Sequence, residues 1–125
     1  MVADANGVDI QAALPLINQH PRVNLLKPGI GVGGHCIAVD PWFFVELEPS
    51  TTRLIHTARQ VNDAMPGYRV QQILADLEAL SIETGRPLTD LSVCAARLTY
   101  KPDVADMRES PAMEMVRLLS EAGVK

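Results

Sequence analysis

The chain has 125 residues, 47% of them hydrophobic, and a mean hydropathy near zero, which is typical of a soluble globular protein of about one domain. Its formal net charge of −4 disfavours nucleic acid as the main partner. No apolar run approaches the ~18 residues that span a bilayer, which disfavours a membrane protein. The two cysteines and the absence of a signal-peptide pattern at the start predict a reducing, cytoplasmic location.

The first half of the chain predicts short helices around a loop. Residues 7–19 have a weak helical pattern, and Pro15 predicts a break or fraying before Leu16. Residues 20–35 are predicted to be a loop, and residues 37–47 a short helix. A new helix is predicted to start after Pro49, with its N-cap at residues 50–51. Apolar residues at helical spacing then continue past Pro66, which predicts two consecutive helices, or one helix bent at residues 66–67.

The second half predicts one strand and one helix. Residues 84–87 form a linker, and the alternation at residues 91–95 predicts a strand in which Cys94 is buried. Ser110 and Pro111 predict the start of a last helix that stops at Gly123. The predicted fold class is therefore mainly α, followed by the first β-α unit of a truncated Rossmann-like α/β domain.

The segment at residues 27–42 contains the strongest candidate for chemistry. Glycines at positions 29, 31, 33 and 34 precede Cys36, and Asp40 follows four residues later. Dense glycines let a backbone approach a ligand closely, and a thiol at a helix N-terminus favours the nucleophilic thiolate. If residues 36–40 are helical, Cys36 and Asp40 share one face. The alternative is that Cys36 is a small buried hydrophobic residue in a turn that binds nothing.

The same segment carries a resemblance to a known family. Residues 31–43 (GVGGHCIAVDPWF) resemble the active-site segment of the UDP-glucose/GDP-mannose dehydrogenase family, in the branch that acts on UDP-N-acetylhexosamines. Residues 100–112 (YKPDVADMRESPA) resemble the segment that opens its C-terminal domain. Residues 58–63 resemble its linking helix, and residues 20–24 the turn before the glycine loop. The likeness extends from about residue 7 to residue 125.

The resemblance implies a domain organisation and an activity. Residues 1–86 would be a central helical, 6-phosphogluconate-dehydrogenase-like dimerisation domain with the active-site cysteine loop. Residues 87–125 would begin an incomplete UDP-sugar-binding domain. The implied reaction is NAD-dependent oxidation of UDP-N-acetyl-D-mannosamine at C6 to the uronic acid, for surface polysaccharide synthesis. The alternatives are UDP-N-acetylglucosamine as substrate, or a non-catalytic remnant that only folds and self-associates.

The resemblance also assigns roles to individual residues. Cys36 would attack the C6 aldehyde formed by a first hydride transfer, and a second hydride transfer would give a thioester. Asp40 would orient or deprotonate the water that hydrolyses it. Substrate-binding roles fall on Arg22 (in a neighbouring subunit), Gly29, Gly31, Gly33, Gly34 and Lys101, and a cofactor-binding role on Arg108. A homodimer is implied.

Three features limit these roles. No strand followed by G-x-G-x-x-G is present, so the main NAD-binding domain is missing and the isolated chain is predicted to be inactive. Arg97 stands where the family has a glycine, which puts UDP binding by residues 87–125 in doubt. His20, His35, Cys36 and His56 lack metal-ligand spacing, so no metal site is predicted.

Overall fold

The computed structural model describes residues 1–125, and its regular structure is entirely helical. There are six α-helices and one 3-10 turn at Leu88–Asp90. The helices are α1 (Val2–Ala5), α2 (Ile10–Ile17), α3 (Asp40–Leu47), α4 (Arg53–Asp63), α5 (Met65–Thr84) and α6 (Pro111–Glu121). Largely irregular backbone separates α2 from α3 and α5 from α6, and the candidate site residues lie in those two segments except for Asp40, which is the first residue of α3.

The helices from α3 onwards pack in sequence. α3 lies against α4, α4 turns into α5, and α6 returns to pack on α5. Val70 on α5 and Ala112 and Leu119 on α6 are buried, whereas most large apolar side chains stay partly open to solvent. The residues after 87 therefore fold back onto the central helices through α6.

The predicted break in the first helix is wrong, because α2 runs through Pro15 to Ile17. A proline inside a helix removes one hydrogen bond. The Asp9 carboxylate caps the helix start by accepting from the amides of Gln11 (2.9 Å) and Ala12 (3.1 Å). Leu14 is buried beside the proline. We attribute the continuity of α2 to this cap and to the burial of Leu14.

The third helix starts three residues later than predicted. Residues 35–39 form a turn and α3 begins at Asp40, with Pro41 in its first turn. Of the two alternatives predicted for residues 51–82, the structure has the two consecutive helices, although they meet at Ala64 and not at residues 66–67: α4 ends at Asp63 and α5 starts at Met65, with Pro66 in its first turn. The N-cap of α4 is Thr52, not the predicted residues 50–51, and its side chain makes no capping bond.

The predicted strand at residues 91–95 is not formed. The segment makes one longer-range backbone hydrogen bond, in which the amide of Val93 donates to the carbonyl of Lys125 (2.8 Å). A strand needs a neighbour that continues the ladder, and no second strand exists here. The expected burial of Cys94 is wrong for the same reason, since Cys94 is exposed without a sheet to cover it.

Two further observations concern the whole chain. The last helix is confirmed, with Ser110 as N-cap, Pro111 in the first turn and an end at Glu121, just before Gly123. None of the helices is both long enough and apolar enough to cross a membrane.

Candidate active site

The glycine loop lies against the chain's own backbone. A methyl group at Gly33 would lie 1.9 Å from the carbonyl oxygen of Glu109 and 2.7 Å from Cδ of Pro111. One at Gly34 would lie 2.9 Å from the Tyr100 ring. All three distances are too short for a real contact of a methyl group, so residues 33 and 34 must be glycine for the loop to pack against residues 100–111.

Asn62 of α4 holds the opposite side of the loop. Its side-chain oxygen accepts from the amide of Val32 (2.7 Å), and its side-chain nitrogen donates to the carbonyl of the same residue (3.0 Å). The two bonds satisfy the amide and the carbonyl of Val32. Because Val32 lies outside any helix or strand, regular structure cannot supply these bonds. The loop is thus fixed to α4 at the residue before Gly33.

Arg59, one turn earlier on α4, holds the other end of the loop. Its side chain is nine-tenths buried and donates to the carbonyl of Ile37 (3.3 Å), the residue after Cys36. The guanidinium also pairs with Asp63, which offsets the cost of burying its charge. Its Nε atom is buried without a hydrogen-bond partner. Arg59 and Asn62 together bracket residues 32–37.

Cys36 and Asp40 face one cavity. Cys36 is exposed in the turn before α3, and the amide of Asp40 donates to its carbonyl (2.8 Å). Both residues line a cavity of about 400 Å³ whose other walls are Ile37, Pro41, Phe44 and Ile55. The predicted helix over residues 36–40 is absent, but the turn brings the thiol and the carboxylate to the same space. A nucleophile and a group that can orient water thus share a mostly apolar pocket.

A charged group from the second irregular segment lies close to this turn. The Asp106 carboxylate accepts three bonds from the Arg108 guanidinium (2.7, 3.0 and 3.1 Å), and His35 Nδ1 lies 3.9 Å from the same carboxylate. The Arg108 guanidinium lowers the pKa of Asp106 to about 2. Asp106 in turn raises the pKa of Arg108, with smaller contributions from Tyr100 and Cys36. Arg108 therefore stays cationic within electrostatic range of the Cys36 thiol.

The other predicted substrate residues lie apart from the Cys36 cavity. Arg22 is exposed in the loop, and Gly29 and Gly31 line a separate cavity of about 520 Å³ beside α1 and α4. The Lys101 ammonium lies 5.5 Å from the ring centre of Tyr100. Arg97 is exposed and makes no side-chain hydrogen bond or ion pair. The structure thus brings together Cys36 and Asp40, with Arg108 near them, and leaves Arg22 and Gly29 outside that group.

The histidines considered as metal ligands do not belong to any cluster of metal-binding side chains. No group of three His, Cys, Asp or Glu side chains is placed to hold an ion. His56 instead packs edge-to-face against Trp42, with 5.4 Å between ring centres.

Sequence reasoning missed Asn62, Arg59 and Asp106 as residues of the site. Asn62 and Arg59 were noted only within the segment that resembles a linking helix, and Asp106 only within a motif. The available signal was a pair of polar residues three apart on a helix, which places them on one face.

Residues 1–64 match the central domain of the UDP-glucose/GDP-mannose dehydrogenase family. The chain belongs to this family. The matched range includes the glycine loop, Cys36, Asp40 and the whole of α4, including Arg59 and Asn62. The resemblance found in the sequence is thereby confirmed.

Individual members of the family match beyond that range. UDP-N-acetyl-D-mannosamine dehydrogenase of Yersinia pestis is 44% identical over 121 residues, which is 97% of this chain and 29% of the relative. An NDP-N-acetyl-D-galactosaminuronic acid dehydrogenase of Ralstonia solanacearum is 44% identical over 95% of the chain and 26% of its own length. The structure of UDP-D-ManNAc dehydrogenase from Pyrococcus horikoshii superposes with a TM-score of 0.79 at 32% identity, covering 96% of this chain and 28% of that one. The chain thus spans less than a third of the length of these relatives.

Replacing Gly33 by alanine tests the close approach. Gly33→Ala should destabilise the fold by about 2 kcal/mol, because the methyl group must displace the Glu109 carbonyl. Gly67→Ala is the matched control. Gly67 lies inside α5 with open space around it, so an alanine there should stabilise by roughly 0.5–1 kcal/mol. Urea unfolding measures both changes, and equal effects of the two variants would contradict the observed contact.

Replacing Arg108 tests the charged pair. Arg108→Gln should raise the pKa of Asp106 from about 2 towards its ordinary value, while Arg97→Gln should leave it in place. NMR titration of the carboxyl carbon measures this. The folded-state pKa is depressed, so the pair's contribution to stability is present above pH ~4 and is lost as the pH falls through about 2. An unchanged Asp106 pKa in Arg108→Gln would rule out the pairing.

Proposed function

We propose that this chain is the catalytic-cysteine segment of an NAD-dependent nucleotide-sugar dehydrogenase that oxidises UDP-N-acetyl-D-mannosamine at C6 to the uronic acid. The observation that carries the proposal is that Cys36 and Asp40 line one cavity at the start of α3, inside the range that matches the family's central domain. The names of several relatives, such as that from Yersinia pestis, supply the choice of sugar.

Cys36 acts as the nucleophile in this proposal. Its thiolate adds to the carbonyl carbon of the C6 aldehyde, forming a carbon–sulfur bond while the carbonyl oxygen takes the negative charge. Once that adduct has been oxidised to a thioester, Asp40 orients water or takes a proton from it, and hydrolysis releases the acid and the thiol. The walls formed by Ile37, Phe44 and Ile55 are apolar, but Ile37 and Phe44 are 62% and 59% exposed, so the pocket stays open to water, which is a reactant in the hydrolysis step.

The groups that would bind NAD, the oxidant, are largely absent from residues 1–125. When bound one after the other, two NAD molecules would each accept one hydride, but residues 1–125 contain no strand and so no dinucleotide-binding sheet, and the chain does not by itself fit NAD. Arg108 is the residue here that would contact the cofactor. Its side chain is 68% exposed, so the guanidinium is free to reach a ligand while paired with Asp106.

The remaining roles follow the family pattern. The backbone at Gly29, Gly31, Gly33 and Gly34, with Lys101 and with Arg22 from a second subunit, would bind the UDP-sugar in a cytoplasmic homodimer. Surface polysaccharide synthesis is the proposed use of the product. UDP-N-acetylglucosamine as the substrate, and a remnant without activity, are the alternatives that an assay separates.

A chimaera provides that assay. Residues 7–125 replace the matching segment of the Escherichia coli UDP-N-acetyl-D-mannosamine dehydrogenase, which is 43% identical over 121 residues. We expect NADH formation with UDP-N-acetyl-D-mannosamine, abolished by Cys36→Ser and retained in Cys94→Ser. Faster turnover of UDP-N-acetylglucosamine would reassign the substrate. A folded, inactive chimaera would favour the non-catalytic remnant.

The isolated 125-residue chain is expected to be inactive. It should give no absorbance change at 340 nm with NAD and any UDP-N-acetylhexosamine, because it has no sheet to bind the cofactor. Turnover that disappears in Cys36→Ser would contradict this expectation and would show that the helical segment binds NAD unaided.

The chain is also expected to form a two-fold dimer through residues 51–82. Leu54, Val61 and Ile82 on these helices are 83%, 52% and 84% exposed, and apolar surface of this kind favours association. Leu54→Glu should weaken the dimer at least tenfold in sedimentation velocity, whereas Leu26→Glu, equally exposed but in the loop, should not. A compact 13.6 kDa species at all micromolar concentrations would refute the dimer.

A further inference from the structure

We propose that Asn62 is the positioning residue for Cys36: its amide anchors the glycine loop to α4 and thereby fixes the turn that presents the thiol beside Asp40. The inference rests on the proposed function only in taking Cys36 as the nucleophile. Asn62 does not line the Cys36 cavity and touches no reacting atom, so it acts through the loop.

The geometry of the anchor is the first argument. Asn62 makes two bonds, of 2.7 and 3.0 Å, to both backbone groups of Val32, a residue 30 positions away. An asparagine side chain offers one acceptor and two donor hydrogens, and here both functions are used on the same residue. Two hydrogen bonds fix both the distance and the orientation of the Val32 backbone relative to α4, whereas a single bond would leave the orientation free.

The position of the anchor in the chain is the second argument. Only residues 33–35 separate Val32 from Cys36, and Gly33 and Gly34 are packed against Glu109 and Tyr100. The loop therefore has little free length in which to absorb a displacement at Val32. A movement there is passed on to the turn whose Cys36 carbonyl accepts from the amide of Asp40.

The buried arginine supplies the third argument. Arg59 lies one turn from Asn62 on α4 and donates to the carbonyl of Ile37, directly after Cys36. One helix thus holds the backbone on both sides of the nucleophile. Catalytic groups need positioning to within about 0.5 Å, and groups held by a helix are placed more precisely than those on a free loop.

Amide hydrogen exchange followed by NMR tests the proposal on the 125-residue chain without substrate or cofactor. In Asn62→Ala, exchange at Val32 should accelerate about fivefold or more as its acceptor is lost. Exchange at Asp40, whose amide bonds to the Cys36 carbonyl, should accelerate with it. Amides inside α5 should keep their rates, because no hydrogen bond joins that helix to the glycine loop.

Two further variants separate positioning from general destabilisation. Asn62→Asp keeps an oxygen that can accept from the amide of Val32 but loses the donor to its carbonyl, so exchange at Val32 should be slower than in Asn62→Ala, while exchange at Asp40 should stay faster than in the unsubstituted chain. Gln60→Ala, on the same helix and exposed, should change neither. Faster exchange at Val32 with an unchanged Asp40 would overturn the proposal, as would a uniform increase across all helices or the same effect from Gln60→Ala. Since no turnover is measured, these outcomes are independent of whether the dehydrogenase function holds.

Discussion

The approach of Gly33 to the Glu109 carbonyl is the constraint on which the rest of the structure depends. It joins two irregular segments that are far apart in the chain, and no side chain larger than hydrogen fits between them. Glu109 has a φ of 47°, an unfavourable region for a residue with a Cβ, so the contact is formed at some cost to the local backbone. Ser110 follows as the N-cap residue of α6 without a side-chain capping bond, and its hydroxyl donates instead to the carbonyl of Leu98 (2.7 Å), a hydrogen bond that helps to offset this cost.

The candidate site follows from this contact and from α4 on the other side. The loop is held between residues 100–111 and the Asn62–Arg59 pair, so the turn at Cys36 is set by both halves of the chain. Arg108 and Asp106 reach the His35–Cys36 turn only because residues 100–111 are fixed there. The proposed nucleophile and the proposed cofactor contact are thereby brought close together by a single packing arrangement.

Sequence patterns predicted the structure correctly where that structure depends on residues close together in the chain. Pro41, Pro66 and Pro111 each mark a first helical turn, since a proline there loses no hydrogen bond. The spacing of Cys36 and Asp40 also predicted their proximity, although through a turn and not a helix. Alternation at residues 91–95 failed because a strand is stabilised by its neighbours, which no pattern within five residues can supply.

The polar contacts of α4 could not be predicted for a related reason. Asn62 and Arg59 act on backbone groups 30 and 22 residues away, and which carbonyl they reach depends on how the loop folds. From the composition of α4 alone, Asn62 and Arg59 would both be expected to be exposed to solvent. Arg59 is buried because Asp63 and the Ile37 carbonyl compensate its charge, and these partners become visible only in three dimensions.

The placement of these contacts on α4 links the site to the surface of the molecule. Leu54 lies about two turns before Asn62 on α4 and is 83% exposed, so the same helix presents an apolar side chain to solvent and an asparagine to the loop. Few residues of the chain are fully buried, and α4 has only Arg59 as a buried residue of its own. A helix with so little apolar burial gains stability from whatever covers its outer face. Because the same helix anchors Val32 and Ile37, any contact that covers this face and orders α4 also restricts the loop, and with it the position of Cys36.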